Sequence, residues 1–278
     1  MRFSLIVATL GRSEELEHLL NSLLAQTYRN FEVVLVDQNR DDRLLPVLQP
    51  YAEQLRLRHL RPGNRGASRA RNAGLEQASG ELISFPDDDC WYPPQLLARV
   101  DATFRARPEL DGLTGRSVNE SGVASNARFD SSAGTLGRIS VWTRAIEYTM
   151  FLRAASVRDL RFDESLGPGS DTTYGCGEAT DYLLRLLEDG GNLYYDPDLQ
   201  VFHPSPFPPY DSKVRSKAYF YGYGMGHVLS VHEMPHWFKA KWLVRPLGGT
   251  VLSALSLRLD KAGYHWNTFR GRLRGLAS

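Results

Sequence analysis

Three consecutive carboxylates, Asp87-Asp88-Asp89, follow the apolar run Leu82-Ile83-Ser84-Phe85 and are followed by Cys90-Trp91-Tyr92-Pro93. Adjacent negative charges repel one another, and burying them unpaired is costly. A solvated acidic turn would explain a lone triplet. Here a strand-like run before it and two aromatic rings after it argue for enclosure. A hard divalent cation neutralises such a cluster, and carboxylate oxygens suit Mg²⁺ or Mn²⁺. Further along, Glu178 and Asp181 are three residues apart, so in a helix they share a face.

The elements that must hold these groups alternate. Apolar runs at 3–8, 31–37, 55–60 and 82–85 read as strands. Helical patterns lie between them at about 13–24, 42–54 and 67–78. Ser13 is a plausible N-cap, with Glu14 and Glu15 in the first turn. This alternation predicts a parallel, doubly wound sheet over roughly 1–100. In such sheets ligands bind at the carboxyl ends of the strands. The strand ending on Asp37 and the strand leading to Asp87 put their acids on that edge. The first loop, Thr9-Leu10-Gly11-Arg12, is neither GxGxxG nor a P-loop.

A helix over 93–107 is expected next. Residues 111–150 are rich in Gly, Ser and Thr and suit loops and short strands. Glu178–Asp189 reads as a helix with acids in its first turn and Gly190-Gly191 at its end. Two short strands are expected at 193–195 and 200–203. Prolines 204, 206, 208 and 209 mark a boundary, followed by helices at about 212–231, 237–259 and 263–275.

The chain has 278 residues, 42% of them apolar, enough for a large core. Its net charge of +1 hides an asymmetry. Residues 205–278 carry 11 Lys/Arg against 3 Asp/Glu, a net of +8, which leaves 22 against 29, a net of −7, for the rest. Two cysteines without CxxC spacing fit a reducing compartment and exclude a cysteine-built zinc site. No signal-like apolar region opens the chain, and the 12 uncharged residues between Arg245 and Arg258 fall short of the ~20 that span a bilayer. The expected location is cytoplasmic, peripheral on the inner face of a membrane.

Taken together, Ile6-Val7-Ala8-Thr9-Leu10-Gly11-Arg12, Leu24-Ala25-Gln26-Thr27-Tyr28, Phe31–Asp37, Asn64-Arg65-Gly66-Ala67-Ser68-Arg69-Ala70-Arg71-Asn72 and Phe85–Asp89 resemble the family 2 glycosyltransferases of the inverting GT-A type. The resemblance covers about 1–204. It implies a GT-A fold, an α/β architecture with a Rossmann-like, mostly parallel sheet flanked by helices, here with a C-terminal helical extension. Residues 1–100 would form the nucleotide-sugar-binding half, 101–204 the acceptor-binding and catalytic half of the same domain, and 205–278 the basic extension. By the same resemblance, Thr9, Arg12, Glu14, Asp37, Arg71, Asp87 and Asp88 would line the nucleotide-sugar site. Asp89 and His203 would hold a divalent metal, Mn²⁺ or Mg²⁺. The implied substrates are a nucleotide-diphosphate sugar and a glycan or lipid-linked acceptor, in the assembly of a bacterial surface polysaccharide. No nucleic-acid partner is expected.

The chain departs from the family pattern where related enzymes read Gly-Glu-Asp-x-Asp: the usual base position is Ala179. The base would then be Glu178, Asp181 or a group outside the motif; Glu178 is favoured, because it opens the helix behind two glycines, within reach of an open cleft. Asp181 would bind acceptor hydroxyls or brace the helix. A sugar nucleotidyltransferase and an inactive nucleotide-sugar-binding protein are the alternatives. The Thr9–Arg12 loop is too poor in Gly and Lys for the first, and Ala179 motivates the second. His232-Glu233-Met234-Pro235-His236 matches the HExxH zinc-protease string, but Pro235 would break the helix that the string requires. Gly222-Tyr223-Gly224-Met225-Gly226 reads as a tight helix contact. Trp237, Trp242, Leu252, Leu255 and Leu257, interleaved with basic residues, suggest peripheral membrane contact through 211–278, against the alternative of a helical cap on the acidic part of the chain.

Overall fold

The structure, a computed structural model, describes residues 1–63, 65–125, 128–204 and 209–278. Pro206 and Pro208 of the expected boundary, and Asn64 of the motif before Arg71, lie outside the described residues. The strands are β1 (Phe3–Thr9), β2 (Phe31–Asp37), β3 (Leu57–Leu60), β4 (Leu82–Ser84), β5 (Gly112–Val118), β6 (Gly134–Thr135), β7 (Met150–Arg153) and β8 (Leu193–Phe202). The helices are α1 (Glu14–Leu24), α2 (Leu45–Leu48), α3 (Ala67–Gln77), α4 (Leu96–Ala106), α5 (Glu178–Glu188), α6 (Ser212–Val231), α7 (His236–Leu255) and α8 (Leu259–Gly275). The chain divides into two compact units. One comprises Met1–Arg65, Arg69–Arg161 and Tyr182–Pro206; the other comprises Gly66–Ser68, Phe162–Asp181 and Phe207–Ser278.

All eight strands belong to the first unit and form one sheet in the order β3-β2-β1-β4-β7-β5-β8-β6. Four neighbouring pairs are parallel and three, all involving β6 or β7, are antiparallel. β1 and β2 are buried along nearly their whole length because both faces are covered, and within them only Ser4 and Glu32 interrupt the apolar run before the terminal Thr9 and Asp37. Phe3, Leu5, Val7, Val33 and Leu35 join a core with Leu16, Leu19, Leu20 and Leu23 of α1 and Leu97, Val100 and Phe104 of α4. On the other face, Ile6 and Val36 lie against Gly74 of α3, where any Cβ would collide with Ile6. Ser13 makes no side-chain cap on α1. A missing cap costs about 1 kcal/mol. Each buried leucine of α1 contributes about 2 kcal/mol, so packing holds the helix without it.

Several expected elements come out differently. The helix expected over 42–54 shrinks to α2 and a 3₁₀ turn at Gln49–Tyr51. Pro50 lacks the N–H that an α-helix needs there. Residues 112–118, expected as loop or short strand, form a buried central strand. Glycine is required in it by packing: a Cβ on Gly112 would meet Leu152 and Leu193, and one on Gly115 would meet the Leu199 carbonyl. The two strands expected near 193–203 are one, β8, whose pairing with β5 skips between Thr114 and Arg116. Pro197 sits in that irregularity, as proline does at bulges.

In the second unit, α6 and α8 cross closely. A Cβ on Gly222 or Gly226 would collide with the Thr268 or Arg272 carbonyl, so the glycine run is a helix contact as expected. The HExxH string is not on one helix. His232 ends α6, Glu233 has φ 47°, Pro235 precedes α7 and His236 opens it. α7 stops at Leu255, not 259, and Leu257 takes φ 56° before α8.

Candidate active site

Sheet register brings the expected donor-site residues to one edge. Thr9, the last residue of β1, pairs with Asp37, the last of β2, and Ala8 forms a parallel bridge with Asp87. A second bridge explains how His203 arrives. Trp91 and Phe202 exchange both backbone hydrogen bonds at 3.0 Å, and their rings stack at 5.7 Å. This pins the residues just beyond the triplet to the end of β8. His203 Nε2 then lies 3.0 Å from Asp89 Oδ1.

The imidazole is held in a defined orientation. Nδ1 lies 2.8 Å from the Pro204 carbonyl, an acceptor only, so it is Nδ1 that carries the proton donated there. The ring stacks on Tyr148 at 4.9 Å, and the Tyr148 hydroxyl donates to Ser117 at 2.8 Å. Nε2 is thereby directed at the carboxylates, as in metal sites whose histidine donates its other N–H to a carbonyl. Asp87, Asp89 and His203 each offer a ligand atom, all within 4.8 Å of one another. Two carboxylates and an imidazole at that spacing fit a divalent cation; the imidazole suits Mn²⁺ better than Mg²⁺. Asp87, expected at the nucleotide sugar, thus groups with Asp89 and His203, the two residues expected to hold the metal.

Among the described residues, the carboxylates of Asp87, Asp88, Asp89 and Glu147 lie around Arg12, Arg71 and His203. Arg12 Nη1 reaches Asp88 Oδ1 at 2.6 Å and Asp89 Oδ2 at 2.5 Å. Arg71, buried, lies 3.2 Å from Asp87 and 3.7 Å from Glu147. Desolvation, followed by the Glu147 carboxylate, raises Asp87 to about 7 despite Arg71. Burial also raises Asp88, against Arg12. Asp89 is different. Burial works against its charge, yet the hydrogen bond and charge of His203, with Arg12, keep it below its ordinary value. His203 shifts up correspondingly: burial opposes its charged form and Asp89 outweighs burial.

Asp37 is buried and served by its neighbours. Its Oδ1 accepts from Asn39 N and Nδ2, each at 2.8 Å, and Oδ2 lies 3.0 Å from His59 Nε2 and 3.8 Å from Arg61. Glu14 is exposed on the first turn of α1. Neither His59 nor Glu147 stood out in the sequence. Each is distant from its partner along the chain, and no local spacing announces it.

Glu178 and the start of α5 belong to the second unit. The open position expected for Glu178 is not what the fold provides: the residue is only 4% exposed. Its carboxyl packs against Gly167, where an added Cβ would come within 2.9 Å. Gly167 has φ 98°, in a loop whose Leu166 and Pro168 carbonyls accept from Ser68 Oγ and Ala67 N. Asp181 is also buried, and its Oδ1 lies 2.9 Å from His232 Nε2. His232 therefore matters as the partner of Asp181 and not as part of a zinc string. Only the string drew attention to it in the sequence.

Residues 4–137 match the family model described as Glycosyl transferase family 2. They belong to that family. The poly(ribitol-phosphate) β-N-acetylglucosaminyltransferase TarS of Staphylococcus aureus is 32% identical over 131 residues, 44% of this chain and 23% of TarS. The chain spans about a quarter to a third of the length of such curated relatives. The crystal structure of S. aureus TarS 1–349 with UDP-GlcNAc superposes with a TM-score of 0.56 at 21% identity, covering 98% of this chain and 92% of that one. The mannosyltransferase PcManGT from Pyrobaculum calidifontis, solved with GDP-Man and Mn²⁺, gives a TM-score of 0.64 at 18% identity, covering 99% of this chain and 86% of that one. The fold is therefore GT-A, with helices following the sheet.

Proposed function

We propose that this protein is an inverting glycosyltransferase that moves a sugar from a nucleotide-diphosphate sugar to a hydroxyl of a glycan or lipid-linked glycan. The observation that carries the reading is the convergence of Asp87, Asp89 and His203 beside Arg12, at the strand edge that also bears Asp37. The family 2 match supports transfer, and the UDP-GlcNAc and GDP-Man complexes of the structural neighbours support the donor class.

In this reading Asp37 receives the base or ribose of the donor, with Thr9, Arg12, Glu14, Arg71 and Asp88 around the nucleotide sugar. Asp89, His203 and Asp87 would hold a divalent cation, which would supply positive charge to a departing diphosphate. Glu178 takes the proton of the acceptor hydroxyl. The acceptor oxygen bonds to the anomeric carbon as the carbon–phosphate-oxygen bond breaks, and the electron pair departs on the nucleoside diphosphate. In-line attack inverts the anomeric centre. Asp181, tied to His232, keeps the first turn of α5 in place. The pathway in this reading is surface polysaccharide assembly, with the enzyme on the cytoplasmic side.

A second reading rests on Ala179: without an acid there, the protein would bind a nucleotide sugar and not turn it over. One experiment separates the two. Transfer to glycan acceptors is followed by nucleoside diphosphate release and by the anomeric configuration of the product. Glu178→Gln should lower kcat by roughly 10²–10⁴-fold with donor binding retained. If Asp181→Asn has that effect instead, Asp181 is the base. Binding without release on any acceptor supports the second reading.

A further inference from the structure

α7 has an apolar outer surface. Phe238, Pro246 and Ser253 form its buried side, while Trp237, Val244 and Val251 recur at seven-residue spacing on the exposed side. A helix apolar on both sides is ordinarily enclosed. The pattern intensifies at the end of α7. Leu257 (85% exposed), Leu255 (78%), Leu259 (70%) and Leu252 (68%) are the four most exposed large apolar side chains among the described residues. Leu257 also holds φ 56°, a left-handed conformation that suits glycine and disfavours leucine. Folding stability alone does not account for an exposed leucine there.

Charge selects the occupant. α7 contains Lys239, Lys241 and Arg245 and no acid, and Arg258 and Lys261 flank the leucines of the turn. Asp260, the acid between them, is paired with Arg215. A second copy docking by the same face would set like basic residues against each other. Among the described residues no helix is long and apolar enough to cross a membrane. Apolar side chains ringed by cations on a helix that does not cross suit the headgroup boundary of an anionic bilayer.

We propose that the outer face of α7 and the Leu257 turn dock on an anionic membrane surface, with the leucines entering the acyl boundary. This stands whether or not sugar transfer is found. The test is sedimentation of the full chain with vesicles of phosphatidylglycerol in phosphatidylcholine, and with phosphatidylcholine alone, at low and high salt. The chain should pellet with the anionic vesicles and be released by salt. Leu257→Gly suits the φ angle, so the melting temperature should hold or rise while partition falls several-fold. Val244→Asp with Leu255→Asp should lower partition by about tenfold or more with the circular dichroism spectrum unchanged. Three results would overturn the proposal: a chain that stays in the supernatant with both vesicle types, variants that pellet like the wild type, or a wild-type dimer in light scattering that the double variant converts to monomer. The last would make the occupant a second copy.

Discussion

Near the amino end of β2, Glu32 is buried and fully served. It accepts from Ser4 Oγ at 2.6 Å, Ser79 Oγ at 2.7 Å, Ser79 N at 2.9 Å and Arg2 at 2.9 Å. Burial alone would raise its pKa, but the serine donors and Arg2 bring it below the ordinary value. At the carboxyl end of the same sheet, Asp87, Asp88, Asp89 and Glu147 share Arg12, Arg71 and His203, and Asp87 is raised to about 7. A carboxylate kept for structure finds its donors within the chain. Among the described residues the carboxyl-end cluster gathers four carboxylates around two arginines and a histidine, a grouping that suits a cation from outside, which is why we place the chemistry at the carboxyl end.

That contrast can be broken by treating the two ends alike. The largest effect is expected from Asp89→Asn, which should lower sugar transfer on the order of 10²–10³-fold while leaving the melting temperature near the wild-type value, measured by initial rates and calorimetry. Glu32→Gln should do the reverse. It should cost about 1–3 kcal/mol of stability in denaturant titrations, with activity per folded molecule unchanged. Its pH signature follows from the sign of the shift. The folded pKa is depressed, so the wild type holds this stability above the unfolded value of about 4.3 and loses it as pH falls through the folded value. Glu32→Gln should flatten the acid limb of the stability curve, and an unchanged limb would remove the role given to Glu32. The smallest effect belongs to Asp37→Asn. Asp37 is shared among Asn39, His59 and Arg61, so its loss should raise the donor KM about fivefold, roughly 1 kcal/mol, with kcat kept. A fall in kcat alone would place Asp37 nearer the reacting atoms.

How far the sequence carried these assignments depended on whether the signal was local. Strand ends were legible because Phe31–Asp37 and Leu82–Asp89 switch from apolar to acidic within one residue or two, and sheet register did the rest. The partnership of Asp89 with His203 came from the family resemblance; its physical cause, the Trp91–Phe202 bridge, joins residues over a hundred positions apart. β5 was hidden because packing demanded glycine at 112 and 115, residues that weaken a strand pattern. His232 was hidden differently. It fell inside a misleading string, and its tie to Asp181 depends on the break between α6 and α7. Glu178 was singled out by its position at the start of a helix, but its burial against Gly167 follows from a loop conformation that no spacing encodes.

The central claim is that the carboxyl edge binds a nucleoside diphosphate through a divalent cation held by Asp89. Calorimetric titration of UDP and GDP into the wild type and Asp89→Asn, each with Mn²⁺ and with a chelator, tests it most directly. Binding of at least one of the two nucleotides only to the wild type with Mn²⁺ is the predicted result. Equal binding in chelator, or to Asp89→Asn, would contradict it.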